Sequence, residues 1–252
     1  MAKRMAHGHP PGPDAARFMA TVERIDQQTP TVRSFLLALD PPSIRFLPGQ
    51  WIDLHVDDEG TGTRTVGGFT IVSAPTDGEH GTIELAIKRL GGGRAATFLH
   101  DHATVGDRFS VDGPSGEFYL PDDPGSGLLL IAGGIGINPL MSMVRHVDQA
   151  RHPVQTTLIY SAKTAAEFIF RDELDAISSE NANITTLFTV TDPGEEEWSG
   201  RVGRIDGSLL EGLVTRGGTT YYLCGPPGMP TELARMLVNL GAPTASVRFE
   251  EW

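Results

Sequence analysis

The sequence predicts a β domain followed by an α/β domain: a small antiparallel barrel, then a doubly wound parallel sheet. Three observations predict it. From Phe18 to about Leu120, short apolar-alternating stretches are broken by turn residues at the spacing of a small barrel. Residues 121–127 read P-D-D-P-G-S-G, a linker by composition. Beyond them an unbroken apolar run opens an alternation of strands and helices, as expected where helices cover both faces of a parallel sheet. The expected division is a flexible tail at 1–16, a barrel domain at 17–122 and an α/β domain at 123–252.

In the first half, Arg33–Leu39 carries Phe35, Leu36, Leu37 and Leu39; Trp51–Val56 alternates; and Ile83, Leu85 and Ile87 share one face of a third strand. Gly49, Gly67–Gly68, Gly91–Gly93, Gly113 and Gly116 punctuate them. In the second half, strands are expected at Leu128–Ala132, Thr156–Tyr160, Thr185–Thr191 and Thr220–Leu223. Helices are expected at Pro139–Val147, Ala165–Ser178 and Pro230–Leu240.

Lys and Arg total 20 against 32 Asp and Glu, a formal net charge of −12. Phosphate-rich partners would be repelled, so nucleic acid and anionic membranes are excluded, whereas a soluble partner with a basic face would suit. With 39% hydrophobic residues the chain can build a globular core. The single cysteine, Cys224, permits neither an internal disulfide nor a four-thiolate iron–sulfur cluster. Lys3 and Arg4 are followed by no apolar signal region, and no run has the length of a membrane span, so a cytoplasmic protein is expected.

The strongest local signal is Leu128–Ala132 running into Gly133-Gly134-Ile135-Gly136-Ile137-Asn138-Pro139. Strand, glycine turn and helix follow in the order a phosphate-binding βα unit needs. Asn138 is placed as the N-cap and Pro139 as the first helical residue, leaving the positive helix end for phosphate. A second strand ends at Tyr221-Tyr222-Leu223-Cys224 and turns through Gly225-Pro226-Pro227-Gly228-Met229. Carboxyl ends of strands form the crevice of such sheets, so both turns can face one ligand.

With these residues in place, the sequence resembles the ferredoxin–NADP reductase superfamily, and within it the oxidoreductase NAD-binding domain-containing proteins, over residues 18–252. The marks are Phe46-Leu47-Pro48-Gly49-Gln50, Gly68 to Pro75 (G-F-T-I-V-S-A-P), Gly113 to Phe118 (G-P-S-G-E-F), the Gly133–Pro139 loop, Phe170 to Leu174 (F-R-D-E-L), Cys224–Met229 and the terminal Phe249-Glu250-Glu251-Trp252. The resemblance implies a six-stranded-type flavin-binding barrel, binding FAD or alternatively FMN, followed by a doubly wound NAD(P)-binding domain. It implies that Phe69 packs on the flavin, that Thr70 bonds near its reactive nitrogen, and that Ile71, Ser73 and the strand from Ala86 to Lys88 line it. Gly92, Gly93, Arg94, Ala96 and Thr97 would receive flavin phosphate. Gly133, Gly134, Gly136, Asn138 and Pro139, with Tyr160, Ser161, Gly225, Pro226 and Met229, would hold the dinucleotide. Thr70, Cys224 and Glu250 are the implied catalytic residues, and Trp252 would lie over the flavin.

One departure stands out. The superfamily's Arg-x-Tyr-Ser in the flavin strand is here Gly67-Gly68-Phe69-Thr70, without the phosphate-binding arginine. Arg94, or else Arg64, is expected to supply that charge. Asp192, at the end of the third strand of the α/β domain, would repel a 2′-phosphate and favours NADH, while Lys163 and Arg204 argue for NADPH.

The expected activity is hydride transfer from NAD(P)H to flavin, with electrons passed to an external acceptor, either a redox protein or a small molecule. A flavin- or nucleotide-binding subunit without turnover is the alternative, and a nicotinamide domain pair without flavin is a third. No metal site is expected: His100-Asp101-His102 reads as surface histidines at a helix end, and Glu195-Glu196-Glu197 as a solvated loop.

Overall fold

A computed structural model describes residues 3–5, 16–58, 62–89, 94–194, 197–215 and 217–251. Its first strand, β1 (Lys3–Met5), falls inside the segment expected to be a flexible tail. The tail expectation is corrected there, because the open edge of the C-terminal sheet offers these three residues a parallel pairing.

The barrel follows: β2 (Ala16–Thr29), β3 (Val32–Asp40), β4 (Trp51–Asp58), β5 (Thr63–Thr70), α1 (Pro75–Glu79), β6 (Thr82–Lys88), α2 (Arg94–Asp101) and β7 (Arg108–Ser115). The strands order as β5-β4-β7-β2-β3-β6, all antiparallel. A bridge from Ile71 to Leu85 brings the chain leaving β5 back to β6 and closes the barrel. Phe35, Leu37, Ile52, Leu54, Ile83, Leu85 and Ile87 alternate inward to fill it, and Leu99 of α2 plugs one end.

The second domain contains β8 (Gly127–Gly133), α3 (Ile137–Gln149), β9 (Gln155–Ala162), α4 (Arg171–Glu180), β10 (Ile184–Val190), β11 (Arg201–Val202), α5 (Gly207–Glu211), β12 (Thr219–Gly225), α6 (Met229–Asn239) and β13 (Val247–Glu251). Every pair in its sheet is parallel, in the order β1-β13-β12-β8-β9-β10-β11. Both faces of the central β8 are buried, as its unbroken apolar sequence requires. From β8 the chain runs outward through β9 and β10, then crosses back to β12 on the other side. The β8/β12 boundary is therefore the switch point where a ligand crevice opens.

The helix expected over Ala165–Ser178 is interrupted. A single 3₁₀ turn covers Ala165–Glu167, Phe170 adopts a left-handed φ of +58°, and α4 starts only at Arg171. The cause is aromatic burial: Phe168 packs edge-on against Tyr160 and Phe188, which a continuous helix would not allow. Among the described residues, no helix is long and apolar enough to cross a membrane.

Candidate functional site

At the switch point, the turns after β8 and β12 touch through their backbones. A Cβ on Gly136 would stand 2.3 Å from the Cys224 carbonyl oxygen, and one on Gly133 would stand 2.4 Å from Sδ of Met229 and 2.9 Å from Pro226. These two glycines exist so that the turns can pack. Gly134 differs: its φ is +54° and a Cβ there would meet nothing within 4 Å. It faces open space, where a ligand's phosphate can approach the backbone.

That space is a cleft of about 820 Å³, the size of a cofactor site. The ends of β8, β9 and β12 contribute Gly133, Gly134, Ile135, Ser161, Lys163, Gly225, Pro226 and Met229, and Lys88 enters from the barrel. Thr191, Arg204 and Asp206 close the end beyond β9. Asp206 caps α5 by accepting from the Leu209 N–H, and it also accepts from Ser208 and Arg201. Those hydrogen bonds, with that of Ser208 foremost, hold its carboxyl well below the usual range, at about 2.

Several expected dinucleotide residues sit elsewhere. Gly136, Asn138 and Pro139 are buried and do not line the cleft. Asn138 is not the N-cap: a 3₁₀ turn at Gly134–Gly136 carries the chain into α3 two residues early, and Gly136 occupies the cap. The Asn138 amide instead donates to the Ala86 carbonyl at 2.7 Å, across the domain boundary. Tyr160 is fully buried among Phe168 and Phe188, and its hydroxyl accepts from the Ile169 N–H, so its side chain belongs to the core. Asp192 is exposed and 3.7 Å from Nζ of Lys163, outside the cleft lining.

On the barrel side, Gly67 has a physical cause. A Cβ there would strike the Phe69 ring at 2.6 Å and the Ala95 methyl at 2.8 Å, because α2 lies directly on β5. The close approach excludes an arginine from position 67 and brings the start of α2, with exposed Arg94, to that place. Phe69 is half-buried, and Ala96 and Thr97 are half-buried on α2. This set fits a flavin: an aromatic ring at the surface, a helix N-terminus and an exposed cation beside it. Ile71 points into the barrel core and its N–H is given to Gln50, so only its carbonyl side is left for a ligand. The Ser73 hydroxyl accepts from the Glu84 N–H. Thr70, Ser73 and Ala86 are buried. Gly92, Gly93 and Trp252 lie outside the described residues. His100 is not a surface histidine; it is buried, with Nε2 2.8 Å from the Ile87 carbonyl oxygen.

Cys224 and Glu250 are direct register partners on β12 and β13, and Met5 of β1 pairs with Glu250 on its other side. Flanked on both edges, Glu250 is 3% exposed, and burial pushes its carboxyl up to about 8.

Two family models match the chain. The model described as oxidoreductase FAD-binding domain matches residues 19–119, and that described as oxidoreductase NAD-binding domain matches 130–235. Oxidoreductase NAD-binding domain-containing protein 1 of Danio rerio is 34% identical, over 93% of this chain and 92% of that protein. The chain belongs to the FAD- and NAD-binding oxidoreductases of the ferredoxin–NADP reductase superfamily. This oxidoreductase is also similar to the glycine betaine monooxygenase reductase subunit of Chromohalobacter salexigens, at 32% identity over 86% of the chain. It spans about three fifths of the length of that subunit. Among solved structures, the Amycolatopsis cytochrome P450 reductase superposes with a TM-score of 0.81 at 27% identity, over 94% of this chain and 70% of that one.

Sequence reasoning missed Glu167, Asp206 and Glu232 in the oxidoreductase's cleft, and Arg145 behind it. Asp206 had a readable signal, an aspartate just before the apolar helix G-S-L-L-E. Arg145 had none, since its partners are distant in sequence.

Proposed function

We propose that this oxidoreductase accepts a hydride from NADH in the cleft between its domains and hands the electrons to an acceptor outside these 252 residues. The observation that carries this reading is the composition of the cleft. Three strand-end turns of the nucleotide domain line it, and Lys88 joins them from the end of β6, the barrel strand expected to line the flavin. A bound flavin supplies the chemistry that couples two-electron donors to one-electron acceptors. The chain's own work is orientation. Thr70 and Cys224 are short polar groups suited to fixing the reacting rings, and Glu250, protonated at neutral pH by its burial, can hold a proton nearby.

The preference for NADH is supported by charge at the far end of the cleft. Asp206 stays ionised at any physiological pH, and Glu167 and Glu232 stand with it against Lys163 and Arg204. A 2′-phosphate would meet that acid at short range. A higher kcat/KM for NADPH than for NADH would overturn the preference. For the acceptor, similarity to monooxygenase reductase subunits and a P450 reductase supports a metal-containing oxygenase partner. A net charge of −12 favours a basic docking face on it. The setting we infer is the cytoplasm, where reduced nicotinamide is available.

The test is a visible spectrum of the purified protein before and after anaerobic NADH. Flavin absorbance at about 450 nm that bleaches is the expected result. Flavin that stays oxidised would leave a binding subunit without turnover. Absence of flavin even after reconstitution would refute the proposal.

A further inference from the structure

Helix α3 starts at the dinucleotide turn and runs along the barrel, and one of its faces is polar. Asn138, Ser142, Arg145 and Gln149 recur at spacings of four, three and four, which places them on a single stripe. Each of them bonds to the barrel domain. Asn138 donates to the carbonyl of Ala86 at 2.7 Å, Ser142 to that of Ser73 at 2.6 Å, and Arg145 to that of Val72 at 3.1 Å. Gln149 accepts from the Thr76 hydroxyl.

The three carbonyl acceptors, those of Ala86, Ser73 and Val72, belong to the two segments expected to line the flavin. These segments are themselves joined, since the Val72 N–H donates to the Glu84 carbonyl. Arg145 is the centre of the stripe. It is 13% exposed and reaches Oε2 of Glu84 on the barrel at 2.7 Å, while its other edge forms two 2.7 Å bonds to Glu173 of α4. Its guanidinium also lies 5.0 Å from the centre of the Phe170 ring. Burial opposes the charge, but the hydrogen bonds and attraction of Glu173 and Glu84 more than offset this, so the cation persists.

Val32, Val72 and Ala86 of the barrel share an apolar core with Leu140, Met143 and Val144 of α3. Such contacts are non-directional and leave two domains free to slide. Bonds of fixed length and direction do not. Hydride transfer depends on placement at this scale, because a displacement of about 1 Å between reacting groups can cost roughly a hundredfold in rate.

We propose that Arg145, supported by Asn138 and Ser142, is a positioning residue that sets the register of the nucleotide turn against the flavin strands. It lies outside the cleft lining and acts through the carbonyls of Val72, Ser73 and Ala86 and through Glu84. This inference rests on the hydride-transfer reading.

The experiment uses the full-length flavoprotein and the Glu84→Gln, Arg145→Lys and Arg145→Met variants. Stopped-flow flavin reduction by NADH is measured per bound flavin, and NAD⁺ affinity is measured by titration calorimetry. Glu84→Gln keeps the side-chain shape and lowers the reduction rate about tenfold, with NAD⁺ affinity within twofold of wild type. Arg145→Lys, which can still meet one carboxylate, falls between wild type and Arg145→Met. A second readout needs no cofactor: calorimetric unfolding of the flavin-free chain, where one joint transition in wild type separates into two in Arg145→Met. A reduction rate within twofold of wild type in folded Glu84→Gln overturns the proposal, as does a parallel loss of NAD⁺ affinity. An unsplit transition in folded Arg145→Met overturns it too. Wild-type flavin that NADH does not bleach would refute the hydride reading instead, a result distinct from these.

Discussion

Gly136→Ala and Gly134→Ala differ by one methyl group two residues apart, yet they test opposite properties. At position 136 the added carbon would sit 2.3 Å from the carbonyl oxygen of Cys224, 2.5 Å from its carbonyl carbon and 2.6 Å from the nitrogen of Gly225. That is roughly 1 Å inside ordinary contact, and the struck atoms are backbone, so relief requires the turn to part from β12. Overpacking of this kind costs about 1–3 kcal/mol, and a rigid obstacle puts it at the upper end. The entropic gain of Gly→Ala, about 0.4–1 kcal/mol, offsets only part of it. At position 134 the methyl meets nothing, and only the left-handed φ of +54° opposes it, at about 1–2 kcal/mol. Since Gly134 lines the cleft, its methyl projects where phosphate should approach. Thermal unfolding of the flavin-free chain should therefore fall further for Gly136→Ala, whereas Gly134→Ala should lose NAD⁺ affinity tenfold or more for a smaller drop in midpoint. Wild-type stability in Gly136→Ala would show that the two turns do not touch, and the reasoning from their contact would fail.

Arg94→Ala should weaken flavin binding roughly tenfold to a hundredfold, the worth of one charge-assisted hydrogen bond, read as flavin lost on dialysis and as a fluorescence titration; unchanged retention would assign the phosphate to another group. Glu250 has its folded-state value raised to about 8, so the unfolded chain releases its proton first as pH rises, and stability should decline between about pH 4.5 and 8, at up to about 1.4 kcal/mol per unit. Glu250→Gln should flatten that decline, and parallel midpoint curves for variant and wild type from pH 5 to 8.5 would contradict the burial argument. Tyr160→Phe should cost about 1 kcal/mol through the lost bond to the Ile169 N–H and leave NAD⁺ affinity unchanged. A loss of affinity there would restore the tyrosine to the cofactor site.

What could be read from the sequence was what neighbours in the chain decide. The apolar run Leu128–Ala132, the glycines after it and the helix beyond are local, and strand, turn and crevice formed in that order. The alternating strands of the barrel were legible for the same reason, since a side-chain period of two shows within six residues. Local reasoning failed where a distant partner made a better offer. Asn138 has the chemistry of a cap, but its amide bonds to a residue 52 positions earlier. Tyr160 sits one residue before a cleft-lining serine, yet strand alternation and its aromatic neighbours Phe168 and Phe188 turn it into the core.

The short alternating strands, the linker at 121–127 and the turn at Gly133–Pro139 are properties of sequence, and they sufficed to predict a β domain followed by an α/β domain with a dinucleotide turn, while the flavin was implied by the family resemblance. Only the tertiary structure decided why position 67 is glycine, which of the loop glycines faces the open cleft, and that Glu250 is enclosed between β12 and β1. Each of those depends on how closely two segments far apart in the chain approach, and packing distance is set by the whole fold rather than by the residues alongside.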